Sequence, residues 1–246
     1  MLDTPATVLV FAGLDPSGGA GLTADTLAIA ALGAHALPVA AALTVQDNDR
    51  VYEVAPVDTA LVVRQADALI ARFTIGAVKI GLPGSLANAA AIAALVARLR
   101  ERDPALAVVL DPVLSSGRGD ALGQRDAIRA LMGVTTVLVP NLPEAAALGR
   151  VPCPHVLLTG GHGTGDVVVN RWLHAGGEQA WEWPRLQGEF HGSGCTLAAA
   201  IASRLAQGDA MVDALARAQA YCHQALAQSF AIAPGQRIPR RFLQPH

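Results

Sequence analysis

The chain has 246 residues, 52% of them hydrophobic but only 4% aromatic, and a formal charge of −2 at neutral pH. A chain of this length buries a sizeable core in one large α/β domain or two small ones, and its Ala-, Val- and Leu-rich composition suits helices packed tightly on a buried parallel sheet. The charge balance argues against a nucleic-acid partner, because no basic run appears beyond Arg240-Arg241.

The cysteines Cys153, Cys195 and Cys222 lack CxxC or His-paired spacing, so neither a disulfide framework nor a zinc site is expected. Asp3 stands where a signal peptide would carry basic residues, and the apolar segment after it is too short. Residues 26–46 contain no Asp, Glu, Lys or Arg and have about the length of a membrane span. Gly33, His35 and Pro38 interrupt them, so they read as a helix, a turn and a buried strand. A cytoplasmic protein with no membrane partner is expected.

In chain order, residues 7–13 are a β-branched apolar run, hence a buried strand. A glycine-rich turn over 14–21 leads to a helix over 22–32 and a second strand over 35–44. Residues 45–53, with Gln46, Asp47, Asn48 and Asp49, read as a polar loop or flap. A helix over 58–72 precedes a strand over 77–80, and a helix over 86–100 precedes a strand over 107–110. Beyond a polar loop holding Ser116 to Asp120, a helix runs to residue 131 and a strand spans 136–139. Pro143 opens a short helix, a strand follows over 155–158, and residues 167–173 and 179–183 pair as a hairpin around Gly176-Gly177. Two helices, over 194–206 and 209–228, precede a proline-bearing tail read as irregular.

Strands alternating with helices imply a single domain over residues 1–246, built on a mostly parallel sheet with right-handed crossovers. Ligands in such sheets gather at the carboxyl ends of the strands. Asp15, Gln46, Asp111, Asn141 and Thr159 fall there.

The sharpest single stretch is residues 190–198, FHGSGCTLA. A glycine-rich loop runs into a helix of small apolar residues, and the first amides of a helix are unpaired and partly positive. Gly192, Ser193, Gly194 and Cys195 therefore suit a phosphate-binding nest, with Cys195 in the first turn, where a thiol's pKa tends to fall. The bland account is a capped helix with an inert cysteine. Gly19 to Ala24 matches a dinucleotide glycine pattern, but a whole turn separates it from the strand and no acidic residue closes the second strand. Lys79 is the sole lysine and follows no glycine-rich loop, which excludes a P-loop and favours a paired lysine inside its strand.

Asp15 before Pro16 fits a turn. Asp25, placed on an exposed first helical turn, is either a macrodipole-favoured carboxylate or a substrate acceptor. Asn141 and Glu144 have the spacing of a capping box, and the same pair suits Mg²⁺, which takes few carboxylates and several waters. Arg118 within SGRGD is either a phosphate clamp or part of a polar loop.

Together these stretches resemble the ribokinase-like superfamily, and within it the vitamin kinases that phosphorylate hydroxymethylpyrimidine. The matching pieces are residues 12–21 (AGLDPSGGAG) with Asp25, Lys79-Ile80-Gly81, residues 109–113 (VLDPV), residues 140–145 (PNLPEA), Gly160-Gly161-His162 and residues 191–196 (HGSGCT). They stand in the family's order over nearly the whole chain. The resemblance implies a three-layer sandwich with a mostly parallel central sheet flanked by helices. It also implies ATP- and Mg²⁺-dependent phosphorylation of 4-amino-5-hydroxymethyl-2-methylpyrimidine and of its monophosphate.

By the same resemblance Gly13, Asp25, Gln46 and Val113 line the pyrimidine pocket. Asp111, Asn141, Glu144 and Thr159 attend the nucleotide, with Asp111 and Glu144 near the metal, and Gly192 to Cys195 form the anion hole. Cys195 then orients and partly deprotonates the substrate hydroxyl. Thr159 departs from the family by replacing a lysine, and Ser193 replaces a threonine. Leu82 takes an apolar pocket position, and the shortness after Glu144 implies a lost helix between Gly149 and His155. Pyridoxal kinase is the nearest alternative, a non-catalytic nucleotide-binding paralogue is the alternative of another class, and a homodimer is allowed.

Overall fold

The computed structural model describes residues 4–114, 122, 125–150 and 152–242. The Arg118 loop therefore lies outside the described residues. Strand β1 (Thr7–Leu14) sits near the middle of a nine-stranded sheet with β2 (His35–Gln46), β3 (Val51–Pro56), β4 (Ala77–Ile80), β5 (Ala107–Leu110), β6 (Val137–Leu138), β7 (His155–Leu158), β8 (Val167–His174) and β9 (Gly177–Pro184). The spatial order is β3-β2-β1-β4-β5-β6-β7-β8-β9. The block from β2 to β7 is parallel, while β3, β8 and β9 pair antiparallel at the two edges. The helices are α1 (Gly21–Ala31), α2 (Thr59–Ile70), α3 (Leu86–Arg100), α4 (Arg125–Leu131), α5 (Leu142–Leu148), α6 (Ser193–Ala206) and α7 (Met211–Ala227).

The period-two alternation of the strands divides the core into two layers. Val8, Val10 and Ala12 of β1 join the cluster that holds residues of α1, α6 and α7, whereas Leu9 and Phe11 join the cluster of α2, α3 and α4. Within α6, Ala198, Ala199, Ala200, Ile201 and Ala202 are all fully buried. Small side chains around most of its surface let this helix lie flat between the sheet and its neighbours, which brings its N-terminus over the strand ends. Among the described residues no helix is long and apolar enough to cross a membrane.

Two expectations are corrected. Residues 45–53 are mostly strand: β2 continues to Gln46 and pairs antiparallel with β3. Val45, Val51 and Val54 favour extended backbone, and the polar turn shrinks because Asp47 Oδ1 accepts from the amides of Asp49 and Arg50, each at 2.8 Å. The tail is not wholly irregular either, since Phe230 bridges Ile238 and Arg237 bridges Phe190. The short passage after α5 has no helix among its described residues, as the sequence implies, and Gly149 closes α5 at φ 68.

Candidate active site

The turn after β1 is built by Asp15. Its buried carboxylate accepts from Ser17 N (2.8 Å), Ser17 Oγ (2.9 Å) and Ala20 N (2.7 Å). His191 Nε2 lies 2.8 Å from the same carboxylate and so ties this turn to the loop that enters α6. Burial would raise the Asp15 pKa, but the hydrogen bonds from His191, Ser17 and Ala20 outweigh it and the carboxyl sits below its usual range.

Gly192 caps α6 in the left-handed region at φ 74 and ψ 24. A Cβ there would lie 2.2 Å from Gly19 O, so only glycine lets the loop pass over the turn. The first amide in α6 with a backbone acceptor is Thr196 N, bonded to Gly192 O at 2.9 Å. The amides of Ser193, Gly194 and Cys195 have no acceptor among the described residues, and Gly194 is exposed. The mouth of the helix is open.

A row of charges faces this mouth along the strand ends. Lys79 Nζ, fully buried in β4, donates to Asp25 Oδ2 at 2.8 Å and lies 4.0 Å from Asp111 Oδ2. Asp25 is 0% exposed, which corrects its placement on an exposed turn: α1 turns this face inward, onto Lys79. Burial pushes the Asp25 carboxyl up to about 6 against the pull of Lys79. Burial alone would lower the Lys79 pKa, but Asp25 and its other anionic neighbours keep the ammonium charged. Among the described residues, Asp25 Oδ1 and Asp111 Oδ2 are buried with no hydrogen-bond partner.

Cys195, in the first turn of α6, sits among Lys79, Asp111 and Asp25, whose charges act on its thiol. Its pKa is not lowered: burial pushes the thiol up to about 12, because desolvation, with Asp111 and Asp25 adding to it, exceeds the pull of Lys79. A Cβ on Gly194 would lie 3.6 Å from Asp111 Oδ1, so the first turn of α6 stacks directly on that carboxylate. Beyond Asp111, Asn141 and Glu144 form a complete capping box, with Glu144 N to Asn141 Oδ1 and Asn141 N to Glu144 Oε2 both at 2.9 Å. Burial and the Asp111 charge push Glu144 up to about 7. Thr159 pairs with Asn141 at the next strand end.

The sequence profile of the phosphomethylpyrimidine kinase family matches residues 15–153 and 147–239. The hydroxymethylpyrimidine/phosphomethylpyrimidine kinase of Rhizobium meliloti is 34% identical over 94% of this chain and 94% of its own. The chain belongs to the phosphomethylpyrimidine kinase family. A solved phosphomethylpyrimidine kinase from Clostridium difficile superposes with a TM-score of 0.74 at 26% identity, covering 89% of this chain and 98% of that one. A Staphylococcus aureus pyridoxal kinase, solved with AMP-PCP and pyridoxal, shares the fold at TM-score 0.85 and 23% identity, over 98% and 94% of the two chains. The chain is thus an ATP-dependent kinase on a ribokinase-like three-layer sandwich.

Within this family framework, the expected residues occupy one edge of the fold. Asp25, Asp111, Asn141, Glu144, Thr159 and Gly192 to Cys195 form the continuous row described above. Gly13, whose Cβ would lie 3.2 Å from Leu82 Cδ2, and Gln46 stand at the ends of β1 and β2. Val113, half-buried, follows Asp111 by two residues, and its amide donates to Asp111 O. Sequence reasoning missed two residues. His191 was legible only as a neighbour of Gly192, and Arg241 only as half of a basic pair; neither belongs to a pattern that announces its partner.

Proposed function

We infer that this kinase transfers the γ-phosphoryl group of ATP to the hydroxymethyl oxygen of 4-amino-5-hydroxymethyl-2-methylpyrimidine, and then phosphorylates the resulting monophosphate to supply thiamine synthesis. The observation that carries this reading is the open, unpaired mouth of α6 set over the Asp25–Lys79–Asp111 row. Three unpaired amides in one helical turn suit an oxyanion or phosphoryl group, and phosphoryl transfer asks chiefly for alignment and charge stabilisation.

Asp25 Oδ1, buried and free, accepts from the exocyclic amine of an aminopyrimidine, while Gln46 offers both a donor and an acceptor to the ring edge. Gly13, Leu82 and Val113 shape the apolar wall. The Cys195 sulfur, in the first turn of α6, accepts the substrate hydroxyl's hydrogen bond and orients it toward the amides. With the thiol pKa near 12, alignment of the hydroxyl is its larger contribution.

Asp111 and Glu144 fit a Mg²⁺ ion: Asp111 Oδ2 has no partner, and the two carboxylates repel one another in the free chain. Such an ion, when bound, neutralises charge on the ATP phosphates. Asn141 holds Glu144 in place through the capping box, and Thr159 borders the nucleotide side. The reading places the enzyme in the cytoplasm, where ATP is available. A homodimer fits the apolar side chains Leu43, Val45 and Tyr52 exposed on the β2–β3 edge.

The deciding experiment measures steady-state phosphorylation of hydroxymethylpyrimidine, its monophosphate and pyridoxal side by side with Mg-ATP. Turnover of either pyrimidine at a kcat/KM well above that for pyridoxal is expected. Turnover of pyridoxal alone transfers the assignment to the vitamin B6 branch, and turnover of none leaves a nucleotide-binding paralogue.

A further inference from the structure

The C-terminal segment enters the site from a direction that no sequence pattern announces. After α7 the chain doubles back, and Arg237 runs beside the loop before α6, with its carbonyl accepting from His191 N at 2.9 Å. Asn48 Nδ2, in the β2–β3 turn, donates to the carbonyls of Pro234 and Gln236, each at 3.1 Å. The segment then delivers Arg241 into the interior, where it is 3% exposed. Arg241 Nε donates to Thr196 Oγ1 at 3.0 Å and Nη2 to Gly19 O at 2.5 Å, while Tyr221 Oη donates to Arg241 O at 2.8 Å. Thr196 Oγ1 passes its own hydrogen to Gly192 O at 2.8 Å.

The guanidinium joins the glycine-rich turn to the first turn of α6, and the Arg241 carbonyl ties the same residue to the body of α7. A Cβ on Gly192 would lie 3.0 Å from Nη2, so the cation rests against the backbone of the mouth itself. Both of its acceptors are neutral oxygens; among the described residues no carboxylate lies within ion-pair distance, and the buried Asp25 acts on it only through its charge, without contact. A buried cation without a carboxylate partner is costly, and two neutral hydrogen bonds offset only part of the cost. An anion in the α6 mouth would add to that compensation. The planar fork also explains why arginine stands here, since a lysine would reach one acceptor and lose the other.

We propose that Arg241 is a positioning residue for phosphoryl transfer: it clamps the first turn of α6 onto the glycine-rich turn and holds a fixed positive charge behind the amides that receive the phosphoryl group. This rests on the reading of the α6 mouth as the anion site.

The test uses the full chain and its Arg241→Gln, Arg241→Lys and Thr196→Val variants. Two quantities are measured: kcat and KM for the pyrimidine, and the affinity of the free protein for inorganic phosphate by calorimetry, which needs no turnover. Arg241→Gln is expected to lower kcat about 100-fold with KM within about threefold, and to weaken phosphate binding about tenfold. Arg241→Lys, which keeps the charge and loses the fork, recovers to within about tenfold of wild-type kcat and keeps most of the phosphate affinity. Thr196→Val removes the Nε acceptor but not the charge, and keeps phosphate affinity within about threefold of wild type.

Wild-type turnover in Arg241→Gln, equal losses in the Gln and Lys variants with phosphate affinity unchanged, or no phosphate binding by the wild-type chain would each overturn the proposal. If Arg241→Gln does not fold, Arg241→Lys carries the decision: kcat several-fold below wild type with phosphate affinity kept supports the proposal, and wild-type kcat overturns it. Phosphate binding that depends on Arg241, in a chain that phosphorylates no pyrimidine, rejects the substrate assignment and leaves Arg241 standing.

Discussion

Cys195 and Glu144 show how burial decides what a residue can do. A cysteine in the first turn of a helix is expected to ionise readily, yet desolvation among Asp111 and Asp25 drives this thiol to about 12. In the proposed reading its contribution is alignment, with proton transfer secondary, and Cys195→Ala is expected to lower kcat by about 100-fold at unchanged nucleotide affinity. Turnover equal to wild type would reject any role for the sulfur and leave the amides as the main catalyst. Glu144 carries the opposite lesson. Its folded pKa of about 7 lies above the 4.5 of a free glutamate, so its contribution to stability is fully present below about pH 4.5 and is lost as pH rises through 7. Glu144→Gln, assayed without nucleotide or metal, is expected to raise unfolding stability by about 1–2 kcal/mol at pH 8 and to have little effect at pH 4.5. Urea melts at the two pH values check it, and a variant less stable than wild type at pH 8 would show that the capping bond outweighs the cost of burying the charge.

Helix α6 is the element on which the site depends, and its sequence serves two masters. Residues 197–202 are small or apolar so that the helix lies buried along its length, and the residues before them are glycine-rich so that its amides stay uncovered. Gly192 joins the two requirements. An alanine there must adopt a left-handed backbone, at about 1–2 kcal/mol, and its Cβ would lie 2.2 Å from Gly19 O and 2.9 Å from Ala20 Cα. Gly192→Ala is expected to cost more than about 2 kcal/mol in total and to abolish turnover, because relieving the clash moves the mouth away from the turn. A thermal melt paired with an activity assay checks both halves of that statement. In neighbouring α5 the capping-box reading of the Asn141–Glu144 spacing is realised, and the proposed metal role of Glu144 is compatible with it.

At the scale of the molecule, one sheet carries every element of the site, and the proposed substrate side (β1, β2, β4) and proposed nucleotide side (β5 to β8) meet at the α6 mouth. The two core clusters share this sheet, which predicts cooperative unfolding as a single domain. Trp172, Trp181 and Trp183 all lie on the β8–β9 edge, while the helices flank the whole sheet. Far-ultraviolet dichroism and tryptophan fluorescence are therefore expected to give coincident urea midpoints. A fluorescence transition that precedes the dichroism would mean that the antiparallel edge unfolds as a separate unit.

Most of the element order was legible because parallel strands buried on both faces must be continuous apolar runs, and the strands 77–80, 107–110 and 155–158, with the helix 86–100, read to the residue. The glycine-rich stretches were legible for a related reason: close backbone approach leaves a mark on composition. By itself, then, the sequence determined the fold class, the helix mouth and the set of polar residues at the strand ends. Tertiary structure alone decided which of them touch. That Lys79 belongs to Asp25, that His191 belongs to Asp15 and that Arg241 reaches Thr196 and Gly19 are matters of partners lying 54, 176, 45 and 222 residues apart. Local pattern carries no record of such distances, and the burial that sets the charges of Asp25, Glu144 and Cys195 arises only when the layers close.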